Sequence, residues 1–564
     1  MLIRKNSTFK FFLPILGGLC LGILTPLTVP LQAADEKIDF VYDAIEESLN
    51  VSSLEAFAQS GTIDENLAFY LDIAGVNEQE KTLFQEALTK KIDVDPVVLS
   101  RLLKTDEGER LLDFFGGIIN IQGGRNGKFA LRGAIVTAAL DDEGLTLLNF
   151  LRQLPVNVQL DLRKAIAFAK DVEIIVDGTE NFVDKVAQLS AQEAENNPQI
   201  DFTKLPDLRQ SGPFAIEEKT WNLTDTERNR KLYVLVYQPQ QWREGKTPVV
   251  IFSHGLSAKP EDYAKKAKHL ASYGFLVVLP QHSGSDNIYA KEFKEGYYPD
   301  ISDLNEFINR PLDISYTLDE LERRNAQEFG NRLDLENVGI YGHSYGGYTA
   351  LAIAGATPAP NFPQLERDCA IELGELDTAL LLECRALKLE RKSYNFRDER
   401  VQAVIAANPV NASIFGKKGM SQIQIPIGIG AGSYDPATPF IFEQVRSFPW
   451  ITSPQRYLVL EEGQTHVDIS ELDGGALKLI NTIPGLRLPS PQLLTEYSEA
   501  MMLAFFEVYI AKNSDYLPYL NPSYAQYLSE GEQFKAFMIT AASTEELVEA
   551  IAKFKQENQL STTD

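Results

Sequence analysis

Cysteine is almost missing from this chain: three residues in 564, at Cys20, Cys369 and Cys384. Cys20 falls inside an apolar N-terminal run, which leaves one pair in the body of the protein. An even count in a chain with export features predicts a Cys369–Cys384 disulfide, worth about 3 kcal/mol in chain-entropy terms. The plain alternative is two buried free thiols. Histidine is nearly as scarce, with five residues. The N-terminal third groups no His, Cys or carboxylate at ligand spacing, so no metal is expected there. Cations are also short: 53 Lys and Arg stand against 79 Asp and Glu, a formal charge of -26. Such a surface repels phosphate backbones and anionic lipid heads, which makes nucleic acid a poor partner. No repeat of fixed period exists to build a solenoid. Beyond residue 34 no second segment reads as transmembrane. Against these shortages stands an apolar content of 44%, enough for a real core. The length suggests two or three folding units.

The first 34 residues read as an export signal. Arg4, Lys5 and Lys10 precede an uncharged run over 11–34 that ends in Gln32-Ala33-Ala34 before Asp35. A basic start, an apolar middle and a small-residue end match a cleavable leader, and place the mature protein in the periplasm or outside the cell. The rival is an uncleaved anchor, which Pro14, Pro26 and Pro30 weaken. Leu19 before Cys20 argues against lipidation.

Residues 35–195 read as an all-α domain. Apolar residues recur at helical spacing, as at Leu83, Phe84, Ala87 and Leu88, and Ser52 with Glu55 has the form of a capping box. A polar, Pro- and Gly-bearing linker follows over 196–213. From 214 to 512 apolar strands alternate with helices, the pattern of a mostly parallel sheet covered by helices on both faces. A helix is predicted over 301–323, broken at Pro311, and another over 262–272, with His269 on its exposed side. An insertion at 356–399 carries both cysteines. The segment 513–564 is a C-terminal extension ending in a helix capped by Ser543 with Glu546.

The most informative stretch is Val338-Gly339-Ile340-Tyr341-Gly342-His343-Ser344-Tyr345-Gly346-Gly347. An apolar strand enters Gly-x-Ser-x-Gly and a small-residue helix leaves it, the layout of a nucleophile elbow. A serine hydroxyl is a weak nucleophile and needs a base, which in turn needs an orienting acid. In open α/β sheets such groups come from loops at the carboxyl ends of strands. Of the histidines, only His466 follows both the elbow and a terminal strand. His254 and His282 follow strands and read as structural, and the side chain of His343 should diverge from that of Ser344. The acid is expected at Asp435, after the strand over 427–431, with Asp468 as its rival. An oxyanion hole needs two backbone N–H groups. Tyr345, next to the serine, and Leu256, after the glycine of Ser253-His254-Gly255-Leu256, are the expected donors. The chemistry implied is acyl transfer from an ester through Ser344, with no metal or organic cofactor.

These stretches resemble the α/β-hydrolase family, in particular the lipases similar to platelet-activating-factor acetylhydrolase and to polyester hydrolases. The likeness rests on Phe252-Ser253-His254-Gly255-Leu256, on Gly342 to Gly347, and on Ala431 to Asp435 paired with Gly463-Gln464-Thr465-His466. It implies the α/β-hydrolase fold over 214–512, a Ser344–Asp435–His466 triad and oxyanion donors at Leu256 and Tyr345. The acetylhydrolases place their acid one strand earlier, where this chain has Ala407-Asn408-Pro409-Val410-Asn411 and no aspartate. The overall arrangement is similar to cyanobacterial-type exported hydrolases with a helical N-terminal domain. The implied partner is a small-molecule or lipid ester, which leaves room for peripheral membrane contact. No partner protein is implied. Two other readings remain: a peptidase of the prolyl-oligopeptidase type, and a non-catalytic scaffold.

Overall fold

The computed structural model describes residues 37–42, 45–73, 75–155, 158–370, 376–467 and 487–560. The predicted leader and Asp468, the alternative acid, lie outside them. Two sheets organise the chain.

The smaller sheet corrects the expectation of an all-α N-terminal domain. Strands β1 (Lys37–Tyr42), β2 (Ile45–Asn50), β3 (Ile119–Ile121) and β4 (Val158–Asp161) form it in the order β2-β1-β4-β3. Helices supply most of the rest of this region. β3 and β4 are three and four residues long, too short to impose a two-residue period on a pattern dominated by helices. The cap assigned to Ser52 and Glu55 is also corrected. The helix Val51–Ser60 starts two residues earlier, with Asn50 in the cap position, and Ser53 Oγ instead donates to Asp64 Oδ2 at 2.6 Å. A reciprocal capping box does form at Asn77 and Glu80.

The larger sheet has nine strands: β5 (Ile216–Asp225), β6 (Arg230–Pro239), β7 (Thr247–Ser253), β8 (Leu276–Pro280), β9 (Leu333–His343), β10 (Val401–Ala407), β11 (Ile427–Gly432), β12 (Arg456–Glu461) and β13 (Ala536–Thr540). Their spatial order is β13-β12-β11-β10-β9-β7-β8-β6-β5. The run from β12 to β8 is parallel. Antiparallel strands flank it on both sides. Both faces of the central strands are buried, which is why they read as unbroken apolar runs. In β7, Val249 and Ile251 enter one core while Val250 and Phe252 enter the other.

One face packs against α1 (Leu162–Asn196), α3 (Glu306–Glu328), α4 (Tyr345–Ile353) and α6 (Thr544–Glu557). The opposite face packs against α2 (Ala264–Ser272) and α5 (Pro491–Tyr509). His269 of α2, expected on an exposed side, is buried (5% exposed), because α5 covers it and brings Glu499 to 3.8 Å. Pro311 does not break α3. A proline cannot donate to the carbonyl four residues back, and here that carbonyl, on Phe307, accepts the Tyr348 hydroxyl at 2.7 Å instead.

The segment read as a C-terminal extension enters the sheet directly. β13 closes the edge of β12, and α1 holds β13 in place. Met538 N–H donates to Ser190 Oγ at 3.2 Å, and Thr540 donates from its N–H and its hydroxyl to the two Glu193 oxygens at 2.9 and 2.7 Å. Ser543, expected to cap α6, donates to the same carboxylate. Glu546 pairs with Lys185 of α1.

Cys369 and Cys384 are bonded, with their Cα atoms 5.8 Å apart. Cys369→Ser is expected to lower the melting temperature of the oxidised protein by several degrees, the equivalent of about 3 kcal/mol. Calorimetric scans of the variant and of wild type with and without reductant check this. Equal melting in all three would remove the bond's contribution.

Candidate active site

β9 delivers Ser344 to a sharp turn at the carboxyl end of the sheet. The serine has φ 57° and ψ -120°, outside the ordinary regions, and the next residue opens α4. A strained serine between strand and helix is the elbow geometry. The glycines are sterically required: a Cβ on Gly342 would collide with the Gly346 carbonyl, and one on Gly346 with that of Ser253.

Two further loops reach this turn. The loop after β11 carries Asp435 and the loop after β12 carries His466. They are fastened together, since Gly463 N–H donates to Ser433 Oγ at 2.8 Å and Tyr434 N–H to the Gln464 carbonyl at 3.0 Å. His466 Nε2 lies 2.8 Å from Ser344 Oγ, and its Nδ1 lies 2.7 Å from Asp435 Oδ2. The Asp435 carboxylate also accepts from Ala437 N–H and Thr438 N–H at 2.8 and 2.9 Å, from the Thr438 hydroxyl at 2.8 Å and from Asn408 Nδ2 at 2.6 Å. Burial alone would raise its pKa. The neighbouring His466 and these donors outweigh burial and hold the carboxyl below its ordinary value. It is therefore a carboxylate at neutral pH, able to fix the imidazole with Nε2 free to take the serine proton.

His343 does more than turn away from Ser344. Its Nε2 donates to the His466 carbonyl at 2.8 Å, and its Nδ1 accepts the Tyr263 hydroxyl at 2.9 Å. The Tyr263 oxygen in turn accepts Gly255 N–H at 3.2 Å. Burial pushes the His343 pKa down to about 3, so this ring stays neutral and its tautomer is fixed. One side chain thereby ties the elbow to the histidine loop and, through Tyr263, to the loop after β7.

That loop holds Leu256, one of the two expected oxyanion donors. Its neighbouring carbonyl is pinned from below. The Gly255 carbonyl accepts His254 Nδ1 at 2.7 Å and Arg310 Nη2 at 3.2 Å. In a planar trans peptide the carbonyl and the following N–H point in opposite directions. Leu256 N–H is therefore turned away from Arg310, and Gly255 and Leu256 line the same cavity as Ser344 and His466. Tyr345, the other expected donor, is the first residue of α4, so its N–H has no partner within the helix.

Arg310 was not singled out by the sequence. It is fully buried and also donates to the His254 carbonyl at 2.7 Å and to Ser285 Oγ at 2.8 Å, with its guanidinium 4.4 Å from the Tyr345 ring centroid. Beneath it lies a second Ser–His–Asp set. His282 Nε2 is 2.9 Å from Ser253 Oγ, and its Nδ1 is 2.9 Å from Asp313 Oδ2. All three residues are 0% exposed, and Asp313 is also paired with Arg228 and Arg230. This set resembles a triad in its contacts but meets no solvent, and it anchors the loop that bears Leu256. Burial, reinforced by Arg310, lowers the pKa of both His254 and His282 far below the ordinary histidine value. Among the described residues, no group of three or more His, Cys, Asp or Glu side chains is placed to hold a metal ion.

A nine-stranded, mostly parallel sheet with a strained serine at the end of a central strand is the α/β-hydrolase fold. Sequence comparisons agree. Residues 33–161 match the family described as "Alpha/beta hydrolase of unknown function (DUF1400)", and residues 205–365 match the chlorophyllase family. The second match spans Leu256 and the elbow and stops before Asp435 and His466. Similar proteins include chlorophyllase-1 of Citrus unshiu, 32% identical over 20% of this chain and 30% of that protein. Chlorophyllase type 0 of Chenopodium album is 26% identical over 27% and 40%, and S-formylglutathione hydrolase of Paracoccus denitrificans (strain Pd 1222) is 31% identical over 22% and 46%. The chain thus spans less than half the length of each of these relatives. They support the α/β-hydrolase superfamily. They do not support the narrower likeness to acetylhydrolases and polyester hydrolases.

Proposed function

We propose that this protein is an exported serine hydrolase of carboxylic esters. The observation that carries the proposal is the imidazole of His466, 2.8 Å from Ser344 Oγ on one side and 2.7 Å from Asp435 on the other. Ser344 attacks the ester carbonyl as His466 takes its proton. Leu256 and Tyr345 N–H groups stabilise the oxyanion. The His466 proton passes to the departing alcohol, and water then cleaves the acyl-enzyme by the same route.

Support comes from several directions. One relative is an S-formylglutathione hydrolase, named for an acyl–sulfur substrate. The segment where acetylhydrolases carry their acid holds no aspartate here, and its Asn408 donates its amide to Asp435. This favours Asp435 as the acid and argues against acetyl-phospholipid specificity. Among the described residues, the region ahead of the large sheet consists of helices and one four-stranded sheet, not the propeller expected of a prolyl-oligopeptidase relative. A disulfide fits an oxidising compartment, and no helix among the described residues is long and apolar enough to cross a membrane.

Labelling with a fluorophosphonate, followed by peptide mapping, tests the proposal. The expected result is modification at Ser344, turnover of a short-chain nitrophenyl ester and no turnover of an aminoacyl anilide. Absence of labelling and of ester turnover would favour the scaffold reading. Preference for the anilide would favour the peptidase.

A further inference from the structure

β11 is unusual for a central strand. Its sequence is Ile427-Gly428-Ile429-Gly430-Ala431-Gly432, so one face carries side chains and the other has none. Ile427, Ile429 and Ala431 are buried in the core on the α3 and α4 side. The glycine face looks toward α5. No side chain of β11 fills the space over Gly428 and Gly430, which leaves a slot about one strand wide, roughly 5 Å, between the side chains of β10 and β12. Phe505 of α5 bounds it at Gly428, and over Gly432 the Gln464 carbonyl takes its place. Glycine at alternate positions in a strand marks a place where something else approaches the backbone.

The slot is part of a cavity of about 330 Å³ that begins at Ser344, His466 and Leu256. It passes under α5, whose Met501, Met502 and Phe505 line it together with Gly428 and Gly430, and it reaches Met538 on β13. Its depth is apolar, and methionines adapt to chains of varied shape. Burial, against the pull of Lys266, pushes the buried carboxyl on its wall, Glu461, up to about 8, which favours its uncharged form.

We propose that this cavity receives an unbranched aliphatic chain of the ester, lying along the glycine face of β11 beneath α5. This deepens the ester-hydrolase reading and rests on it. A slot of this width admits a polymethylene chain and rejects a fused ring. The chain can belong to a fatty acyl group or to a fatty alcohol.

The test has two arms, both with the full protein. In the first, nitrophenyl esters from acetate to dodecanoate are compared. In the second, methyl acetate is compared with dodecyl acetate by titration of the acid released. The expected result is a rise in kcat/KM of tenfold or more with chain length in one arm, which identifies the source of the chain. Gly428→Val, whose Cβ meets only ordinary contacts with Ile405 and Phe505, is expected to lower the long-to-short ratio in that arm at least tenfold. Dodecanoate binding to Ser344→Ala, followed by calorimetry, reads the cavity without catalysis and without that variant. Short esters turned over with flat profiles in both arms and no dodecanoate binding would overturn the channel and leave the hydrolase standing. Dodecanoate binding without turnover of any ester would do the reverse.

Discussion

Ser344→Ala is expected to lower kcat toward an ester by at least about 10⁴-fold, with the melting temperature little changed. The hydroxyl is the reacting atom in the proposed mechanism, and alanine leaves the imidazole and carboxylate in place. The variant should also lose all fluorophosphonate labelling. Ser253 supplies the control. It too is 2.9 Å from an imidazole backed by an aspartate, yet it is wholly enclosed. Ser253→Ala should keep its labelling and instead lose about 1–3 kcal/mol of stability, because it strands a buried ring nitrogen. Rates and labelling of the two purified variants decide the matter. Labelling that survives Ser344→Ala and vanishes in Ser253→Ala would invert the assignment.

Asp435→Asn should be nearly as damaging, with kcat reduced by about 10⁴-fold and KM little altered. The local geometry dictates why. Ala437 and Thr438 N–H groups both donate to Oδ1, so the asparagine keeps its carbonyl there. Its amide then takes the place of Oδ2, facing His466 Nδ1 and the Asn408 amide. A donor opposite Nδ1 forces the proton onto Nε2, the atom that must accept from Ser344. Separate kcat and KM values, with a melting curve to verify folding, check the expectation. A kcat within tenfold of wild type would remove Asp435 from the mechanism.

The legible parts of this molecule were those written in local chemistry. The elbow needs two glycines in fixed places for steric reasons, and the strands of the large sheet are apolar because both faces are covered. The loops bearing Asp435 and His466 each follow an apolar strand closely, so their meeting with Ser344 could be anticipated from chain order. What stayed hidden depends on distant partners. Pro311 keeps its helix because a tyrosine 37 positions away satisfies the stranded carbonyl. His269 is buried because α5, more than 200 residues later, lies across it. Arg310 looks like any helical arginine until the loop after β7 is seen resting on it. In the smaller sheet, β3 and β4 carry too few residues to show a period. The glycines of β11 were visible, but only the position of α5 shows that the space beside them is left open.

The pairing of β13 with β12 bears on how the chain matures. Synthesis runs from the amino end, so β12 is made with a naked row of peptide groups, and some 75 residues separate it from the strand that will cover them. Until then the nascent polypeptide presents a template on which a neighbouring copy could add its own strand. The Ser190 and Glu193 side chains that later grip β13 are already made by that time, waiting on a helix completed long before. A truncation that spares every residue of the active site but removes β13 would therefore yield a sticky, insoluble product rather than a smaller enzyme.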